Sequence, residues 1–131
     1  MADTMQFDLV SPEKRLASFA ASEVLVPGSE GEMTVMPEHA PVITTLRPGI
    51  VRAKGEKGEE EFIVTRGIAE ISSGSVAIIA EQAFPRADMS RDDMQALLEE
   101  ARKAAETASE QERVSAGKFV EELAHFVENM A

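Results

Sequence analysis

The chain has no cysteine, tryptophan or tyrosine among its 131 residues. Without thiols there is no disulfide framework, no thiolate metal site and no cysteine nucleophile, a composition compatible with a reducing compartment. Without Trp or Tyr the usual stacking platform for single-stranded nucleic acid is missing. Basic residues are also scarce: 13 Lys and Arg stand against 24 Asp and Glu, a formal charge of −11. The deficit is −5 over residues 1–86 and −6 over 87–131. Neither part therefore offers the basic surface that a phosphate backbone requires, which argues against nucleic acid as a partner.

Long hydrophobic runs are lacking as well. No stretch approaches the roughly 20 apolar residues of a membrane-spanning helix. The opening MADTMQFDLVSPEKR has three acids before its lysine and no basic n-region, so it does not read as a secretory signal. A soluble chain is expected, with membrane association only through a partner. At this length one core of about a hundred residues plus an appendage is the expected organisation.

Chain breakers are confined to the first two thirds. All six prolines lie at or before Pro85, and of the eight glycines only Gly117 lies beyond Gly74. Upstream, short β-type runs alternate with turns. Met5, Phe7 and Leu9 alternate with Gln6 and Asp8, ending at Ser11-Pro12. Further strands are predicted at Arg15–Ala20, Ser22–Val26, Glu32–Met36, Val42–Leu46, Gly49–Lys54, Glu60–Arg66, Ile68–Ser72 and Ser75–Glu81. Such spacing is that of a sandwich or barrel. Lys54–Glu59 reads as a charged hairpin loop and Ser72–Ser75 as a tight turn. Ser75–Glu81 holds the most apolar run and is expected to be central.

Downstream, the period changes to that of a helix. Ser90 with Asp93 reads as an N-cap with an acid at the third position, and Met94, Leu97, Leu98, Ala101, Ala104, Ala105 and Ala108 form one stripe. Ser109 with Glu112 repeats the capping signature. Ala116, Phe119, Leu123, Phe126 and Met130 then recur at seam spacing. Large side chains over a flat alanine surface predict a helical hairpin, and one continuous helix of about 40 residues is the alternative, since no Gly or Pro marks the turn. The fold class is thus all-β plus α: an N-terminal β-sandwich over 1–86 and a C-terminal antiparallel two-helix hairpin over 87–131.

The stretches PGSEGEMTVMPEHAPVITTLRPG and FIVTRGIAEISSGSVAIIAEQA, followed by a helical tail, closely resemble the epsilon subunit family of the bacterial F-type ATP synthase, called delta in mitochondria. The family's loop runs approximately P-G-x-x-G-x-x-T-V-L-P-x-H-A-P. It is matched here at Pro27, Gly28, Gly31, Thr34, Val35, Pro37, His39, Ala40 and Pro41. The resemblance implies a non-catalytic rotor subunit of the central stalk, coupling rotation of the c-ring to the catalytic head. Its implied partners are the gamma subunit and the c-ring through the sandwich, and the alpha/beta head through the hairpin. Its implied place is peripheral, on the cytoplasmic face of a bacterial inner or photosynthetic membrane.

The resemblance also implies candidate sites. His39 lies in the matched loop, which the family places at the c-ring, and Glu30 and Glu32 are expected in the same turn facing basic or polar groups of that ring. Many members carry glycine where Glu38 stands, which predicts a locally different backbone. Members that bind ATP carry I/L-D-x-x-R-A where this chain has Ala87-Asp88-Met89-Ser90-Arg91-Asp92. Asp88 and Arg91 match as an adenine acceptor and a phosphate cation, but Asp92 sets an anion beside that cation and argues against ATP binding. Ser109–Ala131 holds five glutamates against Arg113 and Lys118. An acidic helix is ill suited to clamp an acidic catalytic surface, so inhibition of hydrolysis is expected to be weak or absent.

Other chemistry finds no support in the residues. His39 and His125 have no metal-ligand spacing, and His125 is expected to face solvent beside the seam. No G-x-S-x-G elbow positions a nucleophile. Two rival readings stay open at this point: an ATP-sensing inhibitory subunit of the same complex, and an unrelated β-sandwich adaptor whose hairpin captures a partner helix.

Overall fold

The computed structural model describes residues 3–130. Nine strands come first: β1 Met5–Val10, β2 Arg15–Gly28, β3 Gly31–Val35, β4 Val42–Leu46, β5 Gly49–Gly55, β6 Gly58–Val64, β7 Gly67–Ser72, β8 Ser75–Ala80 and β9 Ala83–Pro85. A one-turn 3-10 helix, Arg86–Asp88, and two α-helices, α1 Arg91–Glu106 and α2 Arg113–Glu128, complete the chain. Contacts divide it into two units, residues 1–87 and 88–131.

The strands form two layers that share β2. One runs β1-β8-β7-β4 and the other β3-β2-β5-β6-β9, and the first half of β2 also pairs with β1. Period-2 alternation aims one set of side chains from each layer inward. Phe7, Leu9, Val76 and Ile78 from one side and Val24, Val51, Phe62 and Val64 from the other form a single cluster. The Phe7 ring lies 5.3 Å from that of Phe19 on β2 and 6.3 Å from that of Phe62 on β6, so one aromatic side chain ties the layers together. Full burial of each such side chain contributes about 1.5–3 kcal/mol. As expected, β8 is internal to its layer, parallel to β1 and antiparallel to β7.

Three strand expectations require correction. Arg15–Ala20 and Ser22–Val26 are one strand of 14 residues. No Gly or Pro separates them, and β2 changes partners across a register shift between Ala21 and Glu23 instead of breaking. The strand expected at Glu60 starts at Gly58, because the turn consists only of Glu56-Lys57 and Gly58 supplies φ 119°. β9 was not expected: three residues ending in proline give no alternation to read.

Glycine is required where β7 meets β8. Gly67 has φ 156°, and a Cβ built there would lie 2.0 Å from the Ile79 carbonyl oxygen, so no side chain fits without separating the strands.

The helices form two elements rather than one. α1 begins with the expected capping box, in which Ser90 Oγ accepts from the Asp93 N–H at 3.1 Å and Asp93 Oδ2 accepts from the Ser90 N–H at 2.9 Å. Ser109 and Glu112 also bond as expected, with Glu112 N–H to Ser109 Oγ at 3.3 Å. That box orders the connecting turn instead of capping α2, which starts at Arg113 with no side-chain cap. α1 and α2 pack on each other. Their buried residues are Met94, Leu98, Leu123 and Val127. Val127, not Phe126, is thus the fully buried member of the last α2 turn, and Ala104 is exposed, because the stripe of a 3.6-period helix drifts away from a strict 3-4 seam.

Glu38 is the only described non-glycine residue at positive φ, 69°, and its N–H donates to the Ser73 carbonyl at 2.7 Å. The backbone therefore takes the conformation a glycine would adopt, and the glutamate bears the left-handed strain itself. Glu38→Gly is expected to stabilise the chain by about 0.5–1 kcal/mol, the relief of strain exceeding the entropy of an added glycine. A rise in Tm of roughly 2–6 °C in thermal unfolding checks it.

Candidate functional site

An exposed apolar band crosses the outer face of the β1-β8-β7-β4 layer. Each of these strands contains adjacent apolar residues or an extra one, and a period-2 strand buries only one of any adjacent pair. Leu9/Val10, Ile78/Ile79 and Val42/Ile43 are such pairs: Leu9 and Ile78 are buried, Val42 packs against the core, and Val10, Ile79 and Ile43 face outward. Register then aligns them. Val10 pairs with Ile79, Ile79 with Ile68, and Ile68 with Thr45. In the adjoining row Ile43 pairs with Glu70 and Glu70 with Ala77. Ile79 is 40% exposed and Ile43 75% exposed, so Ile43 stands proud on β4.

Ile43 lines two shallow hollows. One, about 440 Å³, lies over β4, β7 and β8 and includes Glu70, Ser72 and Ala77. The other, about 630 Å³, lies between β4 and the β2–β3 turn, with Glu30 and Glu32 beside Met33 and Ile43. The second combines apolar walls with carboxylates at one edge, a lining suited to the aliphatic stem and charged head of a lysine or arginine.

The expected interface residues do not share one turn. Glu30 is in the two-residue β2–β3 turn, where the Ser29 N–H donates to the Thr45 carbonyl at 2.9 Å. His39 follows the other end of β3, beside Glu38 and its bond to Ser73. The five residues of β3 separate them, a length of about 17 Å. His39 is half-buried, and its Nδ1 lies 2.7 Å from the Ala40 carbonyl oxygen. Because that oxygen only accepts, the proton is on Nδ1. The outward apolar residues were missed as a site, although the adjacent pairs carried the signal.

Asp88 and Arg91 are both exposed, one at the end of the 3-10 helix and the other opening α1. The amides of Ser90 and Asp93 are occupied by the capping box, and Asp92 and Asp93 are both in the first turn. With two amides taken by the capping box and two carboxylates in the first turn, this helix start is disfavoured as an anion site. No group of three His, Cys, Asp or Glu suited to a metal occurs among the described residues. His125 is exposed.

Comparison with known proteins fits this architecture. The family model for the ATP synthase delta/epsilon chain, β-sandwich domain, matches residues 4–86. An ATP synthase epsilon chain from Ruegeria sp. (strain TM1040) is 48% identical over 130 residues, covering 99% of this chain and 93% of the relative. One from Rhodobacter capsulatus is 49% identical over 123 residues, covering 94% and 93%. The chain belongs to the ATP synthase delta/epsilon family. In solved structures the fold matches a chain of the Euglena gracilis mitochondrial ATP synthase OSCP/F1/c-ring, with TM-score 0.72, 22% identity, and 98% of this chain and 79% of that one covered. It also matches a chain of the Tetrahymena thermophila mitochondrial ATP synthase central stalk/c-ring, with TM-score 0.64, 15% identity, and 95% and 93% covered.

The capping box makes a titration prediction. The Asp93 carboxyl is held below its ordinary 3.8 by the Ser90 backbone hydrogen bond and then by the Ser90 hydroxyl, against a smaller desolvation effect. A folded value below the unfolded one means that this contribution to the α1 start is present above the unfolded value and is lost as pH falls through the folded one. Carboxyl-detected NMR should show Asp93 titrating below 3.8, with the first turn of α1 fraying over the same range, and Ser90→Ala should return the titration toward the ordinary value.

Proposed function

We propose that the chain is a non-catalytic central-stalk subunit of an F-type ATP synthase, coupling rotation of the c-ring to the catalytic head. The observation that carries this reading is the outward-facing row Val10–Ile79–Ile68, with Ile79 exposed and the other two half-buried, and the exposed Ile43 beside it. A row of large aliphatic side chains on a sheet's outer face is suited to docking on a partner. We assign that face to the gamma subunit. The adjoining hollow with Glu30 and Glu32 is assigned to polar and basic groups of the c-ring loops. The solved ATP synthase c-ring and central-stalk assemblies that contain chains of similar fold support the assignment. A single contact that also includes His39 must extend along the whole of β3.

Among the described residues no helix is long and apolar enough to cross a membrane. Attachment in this reading is through the complex, peripherally on the cytoplasmic face of a bacterial inner or photosynthetic membrane. The hairpin is assigned at most weak inhibition through the alpha/beta head, and no ATP is assigned to Asp88 and Arg91. The capping box and the two first-turn carboxylates support that assignment.

Ile43→Asp tests the docking face. The side chain is exposed, so folding stability should fall by no more than about 1–2 kcal/mol, from the lower strand propensity of aspartate and its like charge opposite Glu70. Association with purified gamma subunit should weaken by at least about 30-fold, the loss of one central apolar anchor. Gel filtration and calorimetry measure both; wild-type chain that forms no complex with gamma would overturn the reading.

Removal of residues 88–131 tests the hairpin. ATP hydrolysis by the reconstituted enzyme should rise only modestly, and ATP titrated onto the full chain should give no saturable heat in the low micromolar range. A large activation, or binding abolished by Arg91→Ala, would show that an inhibitory or sensing role survives the acidic substitutions.

A further inference from the structure

The last strand of the sandwich is weakly held by its backbone. β9 has three residues and pairs only with β6, through Val64↔Ala83, Ile63↔Phe84 and Phe62↔Pro85. Its upstream side is fastened where the Thr65 N–H donates to the Gln82 carbonyl at 3.1 Å and the Glu81 N–H to the Arg66 carbonyl at 2.7 Å. Its downstream side ends at Pro85, which has no N–H to donate. The ladder stops there.

Side chains continue the register by one residue. Beyond Phe62↔Pro85 the next antiparallel pair is Glu61 with Arg86, and Arg86 Nη1 donates to Glu61 Oε2 at 3.0 Å. Glu61 is also the cross-strand partner of Arg52 on β5, whose Nε donates to the same oxygen at 3.1 Å. Glu59 lies further off, 3.8 Å from Arg52 Nε. One carboxylate thus joins β5, β6 and the segment leaving the sandwich, within one residue of the boundary at Ala87/Asp88. Glu61 is half-buried, and the two arginines keep part of their surface in water.

We propose that Arg52–Glu61–Arg86 is an electrostatic latch that sets where the free connector begins. Closed, it holds β9 and Arg86 on β6, so the slack before α1 is confined to residues 87–90. Open, the proline-terminated strand frays back to the Thr65–Gln82 bond, and four more residues join the connector. At the reach of extended chain this adds up to about 14 Å. Because the three groups are partly solvated, salt weakens the latch. That the added reach changes how far the helices travel in the complex rests on the rotor reading above; the latch itself does not.

Hydrogen exchange by mass spectrometry on the full chain tests it, read at residues 83–87 in 20 mM and 500 mM NaCl. Glu61→Gln should speed exchange of this segment about five-fold at low salt, leaving residues 5–10 and 75–80 unchanged. Arg86→Gln should do the same, whereas Glu59→Gln, which spares the Arg86 pair, should not. Wild-type exchange should rise with salt, and Glu61→Gln should have lost that dependence. Equal exchange in wild type and both latch variants, or an effect of Glu61→Gln without one of Arg86→Gln, would overturn the latch. Neither result bears on gamma binding, which the Ile43 variant reads separately.

Discussion

The sandwich depends on one strand serving both layers. β2 pairs with β1 over residues 15–21 and then with β3, β5 and the end of β4 over residues 21–28. The register shift after Ala21 lets it do so without a break. Ala21 is fully buried at this corner. Once β2 links the layers, the inward sets of both must interdigitate, and Phe7, between Phe19 and Phe62, becomes the residue through which each layer senses the other. The outward sets are fixed by the same alternation. Ile43 cannot retreat into the core, because Val42 and Leu46 already supply β4's share of it.

The same alternation governs how much of the fold is legible in the sequence. Alternation and turn residues locate every strand from β3 to β8 to within about two residues, because Gly, Pro and charged pairs sit at the ends where φ and solvation demand them. They fail at β2, where a bend without a breaker leaves no mark, and at β9, which is too short to have a period. The two-layer class was legible because short alternating runs have no other means of burying one face. The start of α1 was legible because a capping box is local chemistry. α2 was less so: its apparent box folds the preceding turn, and the buried Val127 is displaced from the expected seam by one residue. The proposed interface is half visible in the sequence. Glu30, Glu32 and His39 stand out in the sequence as polar residues of the matched loop, yet the length of β3 that separates them appears only in the fold, and Val, Ile and Leu serve core and interface alike, so the sequence does not single out the outward isoleucines.

Charge distribution separates the two units more sharply than their net charges suggest. On the β5–β6 surface, acids and bases alternate across strands, as in Glu59, Glu61, Arg52 and Arg86, so much of the charge is compensated locally. Arg66 with Glu81 adds a further pair at the end of β8. On the helices, Arg102 is paired with Glu99 on its own helix, and the remaining acids outnumber the bases. A surface with this excess of acids disfavours an acidic partner, and specificity can come from like-charge exclusion as well as from attraction.

Strain and solvation then bear on function in opposite ways at the two ends of β3. At the Ser29–Glu30 turn the backbone is relaxed: Gly31 supplies the positive φ, and Glu30 and Glu32 keep their carboxylates in water. A partner that approaches there must replace that hydration, so only a cation or a good hydrogen-bond donor gains by contact. At the other end Glu38 holds a left-handed conformation that glycine would take more readily, anchored to the β7–β8 turn by the bond to Ser73. The two ends are joined by a strand whose inward residues are Val35, in the core, and Met33, half-buried and packed against it. A load applied at either turn is therefore transmitted to the sandwich as a whole instead of bending a loose loop. In the proposed central-stalk role, which passes torque between two larger bodies, a short strand rooted in the core is a stiffer contact element than a free loop.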